Sequence, residues 1–251
     1  MTMRRRVLAM LPALAAGGRA AAVLAGLVGA LPARAGQAGF DIGFDGYYES
    51  GGGRTPLASA RLRFEPAADA YRMSLEVDSM LADLHYESRG RLDAAGLHPE
   101  HYVERRELPF GRKRRREARF VPAAGSDVGP AGQGTLAVPP GTQDRISLIG
   151  QLWQLAMRRD GPFEHGRRFD LALASVSRVR PVSLRVDPAA ALRIGDREYL
   201  ARRVRRADPP GEDDELDIEV WLAAGDRRLP LAIRFMERDR ALHFEATAPG
   251  A

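Results

Sequence analysis

A chain of 251 residues without a single cysteine excludes a disulfide framework, a thiolate metal site and a lipid-modified N-terminal cysteine together. Its 38 basic and 33 acidic side chains give a net charge of +5, but five arginines (Arg4, Arg5, Arg6, Arg19 and Arg34) sit in the first 35 residues, which hold no acid. Without that segment the chain is neutral, so charge offers no case for nucleic-acid binding.

The first 35 residues read as a cleaved signal peptide. Arg4-Arg5-Arg6 forms a positive start, an apolar stretch runs to Leu31, and Ala33-Arg34-Ala35 is a small-x-small cleavage site. Arg19 splits the apolar stretch into pieces shorter than the roughly 20 residues a spanning helix needs. The expectation is therefore a periplasmic protein of a Gram-negative envelope, with no transmembrane anchor in the mature chain. Removing 35 of 251 residues leaves 216, enough for one domain, residues 36–251, with its own core.

From Phe40 to Glu49, Phe40, Ile42, Phe44 and Tyr48 recur every second residue, the period of a strand with one face buried. Gly51-Gly52-Gly53 ends it, and Leu57–Phe64 alternates again with arginines outward. Further strands are expected over Tyr71–Val77, Leu84–Leu92, Leu97–Glu107 and Lys113–Val121. Residues 122–142, rich in Gly, Pro and Ala, read as a flexible loop that holds at most one short strand, Thr135–Val138, and contributes nothing to the core. The one helix is expected over Asp144–Met157, where Ile149, Trp153 and Met157 recur at three- and four-residue spacing and Leu148, Leu152 and Leu155 widen the apolar face. Thr142 or Asp144 can cap its start. Alternation then resumes through Phe169–Leu173, Val182–Val186, Glu198–Val204, Leu216–Leu222, Leu231–Met236 and Leu242–Ala246. The fold class is mainly β: a single curved antiparallel sheet, half-barrel or barrel, of 11 or 12 strands with one helix packed against it. An outer-membrane barrel is disfavoured, because the strands are short and the C-terminus is not an aromatic-ended strand.

Several segments in this order resemble the DUF3108 family of exported proteobacterial proteins: Ser88-Arg-Gly-Arg-Leu-Asp-Ala-Ala-Gly-Leu-His-Pro99, Tyr102 with Glu104-Arg105-Arg106, Arg116-Glu-Ala-Arg-Phe120, Gly141-Thr-Gln-Asp-Arg-Ile-Ser147, Trp221-Leu-Ala and Arg228-Leu-Pro-Leu231. The resemblance implies an exported, mostly β domain of unknown function, similar in outline to half-barrels that carry acylated molecules across the periplasm. It brings no catalytic residues.

The chemistry-bearing residues are few. His98 and His101 flank Glu100, but three residues apart on a strand they face opposite sides, so a solvated turn rather than a metal site is expected. Glu212-Asp-Asp-Glu-Leu-Asp217 lacks the spacing of a calcium loop. No cofactor is implied, and the chain is read as more binder than enzyme, with no Gly-x-Ser-x-Gly nucleophile context. Asp144, beside Gln143 and Arg145, reads as a cap. Arg112-Lys-Arg-Arg-Arg116 is the strongest local field. Alternation puts Arg114 and Arg116 on the face of Phe120, and arginine pairs bidentately with phosphate. Ile149, Leu152, Trp153 and Met157 either pack the core or line an acyl-chain cavity. The leading expectation is a non-enzymatic carrier or binder of a lipid or acylated envelope molecule, with Ile149, Leu152, Trp153, Met157, Arg114 and Arg116 as its site. An envelope hydrolase, or a scaffold that takes a partner strand at an open sheet edge, stands as the alternative.

Overall fold

The computed structural model describes residues 39–50, 53–80, 82–108, 111, 113–125, 127–158, 163–208, 217–237 and 240–247. The expected signal peptide, residues 1–35, and most of the acidic segment 212–217 lie outside the described residues. The first strands are β1 (Phe40–Ser50), β2 (Gly53–Pro66), β3 (Ala70–Ser79), β4 (Asp83–Leu92), β5 (Leu97–Glu107) and β6 (Lys113–Pro122). Three short ones follow, β7 (Gly129–Gly132), β8 (Thr135–Val138) and β9 (Gln143–Asp144), then helix α1 (Ser147–Met157). The chain ends with β10 (Arg168–Ala174), β11 (Val179–Ile194), β12 (Arg197–Arg206), β13 (Asp217–Ala223), β14 (Pro230–Glu237) and β15 (Arg240–Ala246).

All fifteen strands join one sheet in the order β7-β8-β6-β5-β4-β3-β2-β1-β15-β14-β13-β12-β11-β10-β9. Its curl follows from two contacts. β4 and β14 are five strand steps apart, about 24 Å on a flat sheet, yet the Arg145 guanidinium lies 5.3 Å from the Tyr86 ring of β4 and 5.7 Å from the Phe235 ring of β14. β5 and β9 are eleven steps apart, yet Gln143 Nε2 donates to Leu97 O at 2.8 Å. The sheet wraps almost fully round without closing, since no described residues pair β7 with β9.

The expected mainly β fold with one packed helix stands, with three strands more than its upper count. Within residues 122–142 the expected short strand Thr135–Val138 is β8, parallel to β6, while β7 is added and Leu136 and Ala137 are buried, against the expectation that this segment contributes nothing to the core. The short alternation Thr135–Val138 was legible, but its glycine- and proline-rich flanks masked the tertiary pairing that orders it. The helix begins at Ser147 rather than Asp144, because Gln143 and Asp144 pair in parallel with Leu173 and Ala174 of β10. The Asp144 carboxylate accepts from the backbone N–H of Ile146 and of Ser147, both at 2.9 Å, and Ser147 Oγ accepts from Asp144 N at 2.8 Å. This reciprocal pair starts α1 as a cap does. Thr142 instead donates to Pro139 O.

The two edges differ. β7 is short, contains Pro130, and has Gly129 and Gly132 at positive φ, all poor features for pairing with another strand. β9 covers only the last two residues of β10, so the outer edge of Arg168–Ala172 has no partner strand among the described residues.

α1 is seated directly on the sheet. A Cβ at Gly150 would sit 2.9 Å from Met73 Sδ and 3.0 Å from Leu97 Cδ2. Gly150→Ala sets about 1 kcal/mol of helix propensity against an overpacking cost of about 1–3 kcal/mol. Because Met73 and Leu97 are both fully buried, packing wins. The expected result is a net loss of about 1 kcal/mol by urea denaturation; a stabilised variant would show slack at this contact.

Candidate functional site

The residues selected from sequence fall into two places. Ile149, Leu152 and Trp153 are buried on α1, while Met157 at its end is exposed. Trp153 meets Phe40 and Phe64 edge-on, with centroids 5.2 and 5.6 Å away, and its Nε1 donates to Arg227 O at 3.0 Å. Here the space between helix and sheet is filled by side chains. Arg114 and Arg116 lie elsewhere. α1 touches β5 at Leu97, whereas Arg114 and Arg116 stand opposite Arg106 and Glu104, seven to nine residues further along β5, or about 24–30 Å at strand rise.

At that far end the concave face carries a basic cluster. Arg114 and Arg116 share the face of buried Ala118 and Phe120, as alternation expects. Across the register, Tyr86, Glu104 and Arg116 form one row and Leu84, Arg106 and Arg114 the next. Arg145 completes the group, with Nη1 donating to the Tyr86 hydroxyl at 3.4 Å. Arg106, Arg114 and Arg116 thus share one face with a single carboxylate, Glu104, which lies 3.9 Å from Arg116 Nη1 and accepts from the Tyr102 hydroxyl at 3.1 Å. Arg106 and Arg114 have no ion-pair partner among the described residues. The sequence reading missed Arg106 and Tyr86; extending the same alternation from Tyr102 through Glu104 to Arg106 would have found the first.

Behind this cluster lies a sealed polar chain. Ser88 Oγ donates to Asp144 Oδ2 at 2.6 Å and lies 2.8 Å from the Tyr71 hydroxyl. Asp144 and Ser88 are fully buried. Burial raises the Asp144 carboxyl from 3.8 to about 6, against the pull of its hydrogen bonds from Ser147, Ser88 and Ile146. This group is closed off from solvent. It holds the turn that aims Arg145 into the curl.

The convex face carries its own charges. His243 sits between Glu49 (3.6 Å) and Glu245 (3.4 Å), and burial pulls its pKa below the usual histidine range. Arg54 pairs with Glu245 at 2.7 Å, and Arg234 with Glu49 at 2.9 Å. His98 pairs with Asp93 at 2.9 Å, and His101 lies 3.7 Å from Glu117, so each imidazole has its own carboxylate. No group of three or more metal-ligating side chains occurs among the described residues. No described helix is long and apolar enough to cross a membrane.

No curated protein matches the chain. Among solved structures it is similar to the crystal structure of a beta-barrel-like protein of domain of unknown function DUF1849 from Brucella abortus, at 13% identity and a TM-score of 0.45, covering 82% of this chain and 95% of that one. The family model described as protein of unknown function (DUF3108) matches residues 44–239, the span from β1 through β14 that carries both the curl and the basic cluster. The chain belongs to the DUF3108 family.

Proposed function

We propose that this protein is a non-enzymatic periplasmic binder of an anionic, acylated envelope molecule, whose headgroup is held by Arg106, Arg114, Arg116 and Arg145 at the far end of the concave face. One observation carries the reading: Arg106, Arg114 and Arg116 stand together on the concave face around a single carboxylate, and Arg106 and Arg114 lack ion-pair partners among the described residues. Guanidinium pairs with phosphate through two parallel hydrogen bonds, which suits a phospholipid or glycolipid phosphate. The partly buried Leu84, Tyr86 and Leu242, packed against the core, provide the apolar margin an acyl chain would first meet. With Trp153 seated on Phe40 and Phe64, deeper entry of the chain requires α1 to shift.

The test is binding of lysophosphatidylglycerol against lysophosphatidylcholine by the intact protein. Preference for the anionic lipid is expected, and Arg114→Glu with Arg116→Glu should weaken it by about 10-fold or more, in a salt-sensitive way. Both side chains are exposed, so the thermal midpoint should not move. Equal binding of the two lipids, or no loss in the double variant, would remove the reading.

A further inference from the structure

A cleft of about 690 Å³ opens on the convex face of β11–β13, away from the concave cluster. It owes its shape to a bulge. Between Val186 and Ala189 the β11–β12 register slips, so that Asp187 and Pro188 together oppose Arg203. Just before the slip, Arg185 and Arg205 stand directly opposite one another, an unfavourable like-charge pair on neighbouring strands. The bulge turns Asp187 between them: Arg185 Nε lies 3.3 Å from Oδ1, and Arg205 Nε 2.7 Å from Oδ2. Each arginine engages this carboxylate through Nε, leaving the Nη groups of both without a protein hydrogen-bond acceptor among the described residues. Arg203 adds a third guanidinium, paired with Glu219 and 5.2 Å from the centroid of the Trp221 ring. The floor beside this wall is small and apolar, formed by exposed Ala190 across from buried Ala201, with Trp221 also lining the cleft.

We propose that this cleft is a second binding site, for an organic phosphate. Its phosphoryl oxygens take the Nη groups of Arg185 and Arg205, and its ring or hydrocarbon body lies over Ala190 against Trp221. A single carboxylate between two opposed arginines fixes their fork geometry while leaving positive charge unspent, which suits an incoming oxyanion. The alanine floor provides the volume that larger side chains would fill.

The experiment uses the protein carrying Arg114→Glu and Arg116→Glu, which reverses the charge of two of the four concave-face arginines, and titrates phenyl phosphate, inorganic phosphate and phenol by calorimetry with tryptophan emission followed in parallel. Phenyl phosphate should bind at least about 10-fold more tightly than inorganic phosphate, because the apolar body adds buried area, and phenol should not bind. Arg205→Gln should weaken phenyl phosphate by about 10-fold or more, and Ala190→Leu should block it while sparing inorganic phosphate. Thermal unfolding of each variant separates lost binding from lost folding. Equal affinity for the two phosphates, or unchanged binding in Arg205→Gln with its fold intact, overturns the proposal. Loss of binding in Arg205→Gln, which leaves the concave face untouched, distinguishes this site from the concave-face reading.

Discussion

Replacing Trp153 by alanine is expected to destabilise the protein by about 4 kcal/mol, in the range for truncating a large core aromatic. The indole is 4% exposed and stacks edge-on against both Phe40 and Phe64, in arrangements that add to simple area burial. Its Nε1–H bond to Arg227 O ties α1 to the turn before β14, and Arg228 donates to Ala156 O in the same turn. Alanine would remove the indole's contacts with both rings and its hydrogen bond, and the sheet on that side is too well paired to collapse inward. Phenylalanine at 153 keeps one ring contact and loses the hydrogen bond, so a loss of about 1–2 kcal/mol is expected. Urea denaturation followed by circular dichroism gives both values. A loss below about 1.5 kcal/mol for Trp153→Ala would mean the helix stands off the sheet with slack beneath it, the arrangement of an acyl-chain cavity.

Alternation made most of the strands legible, since a sheet with one buried face writes its register as a period of two. Phe40, Ile42 and Phe44, or Met73, Leu75 and Val77, needed no partner to be read. β7 and β9 escaped, as did the pairing of β8, for a physical reason: two to four residues display little or no period, and their order comes from neighbours distant in sequence, as with Leu136 beside Phe120. The same limit applied to the site. Arg114 and Arg116 were found because their run is local, whereas Arg145 enters the cluster only through the curl that brings β4 and β14 to one guanidinium. Whether Trp153 lined a cavity or filled a core was undecidable from spacing, because both demand the same apolar helix face. The outer cleft was invisible for a related reason: the bulge at Asp187 and Pro188 breaks the alternation from which the strands were read.

Asp144 is expected to give the protein an unusual pH signature. Its carboxyl titrates at about 6 when folded and near 3.9 when unfolded, so between those values the folded state binds the extra proton. Stability from this group is therefore full below pH 4, declines as pH rises through the interval, and by pH 7 has fallen by about 3 kcal/mol. Other groups act in the opposite sense. Asp41 and Glu117, held below the usual range by Arg61 and Arg115, lose stability as pH falls through their folded values, and burial lowers His85 and His243 below the usual histidine range, so they resist protonation. The measurement must therefore be a difference. Asparagine at 144 can still accept from Ile146 N and Ser147 N while donating to Ser88, as the protonated acid does. Relative to the parent, Asp144→Asn should be near neutral at pH 4 and stabilising by about 2–3 kcal/mol at pH 7. Asp144→Ala should instead be destabilising by about 3 kcal/mol at pH 4, because it strands two buried N–H donors at the start of α1, and that deficit should shrink towards zero by pH 7 as the parent loses about the same amount. It should also weaken the concave cluster, since the turn that aims Arg145 is then untethered. If the Asp144→Asn difference stays flat from pH 4 to pH 7, the carboxyl is not sealed from water, and the chain from Tyr71 through Ser88 must open to the concave face.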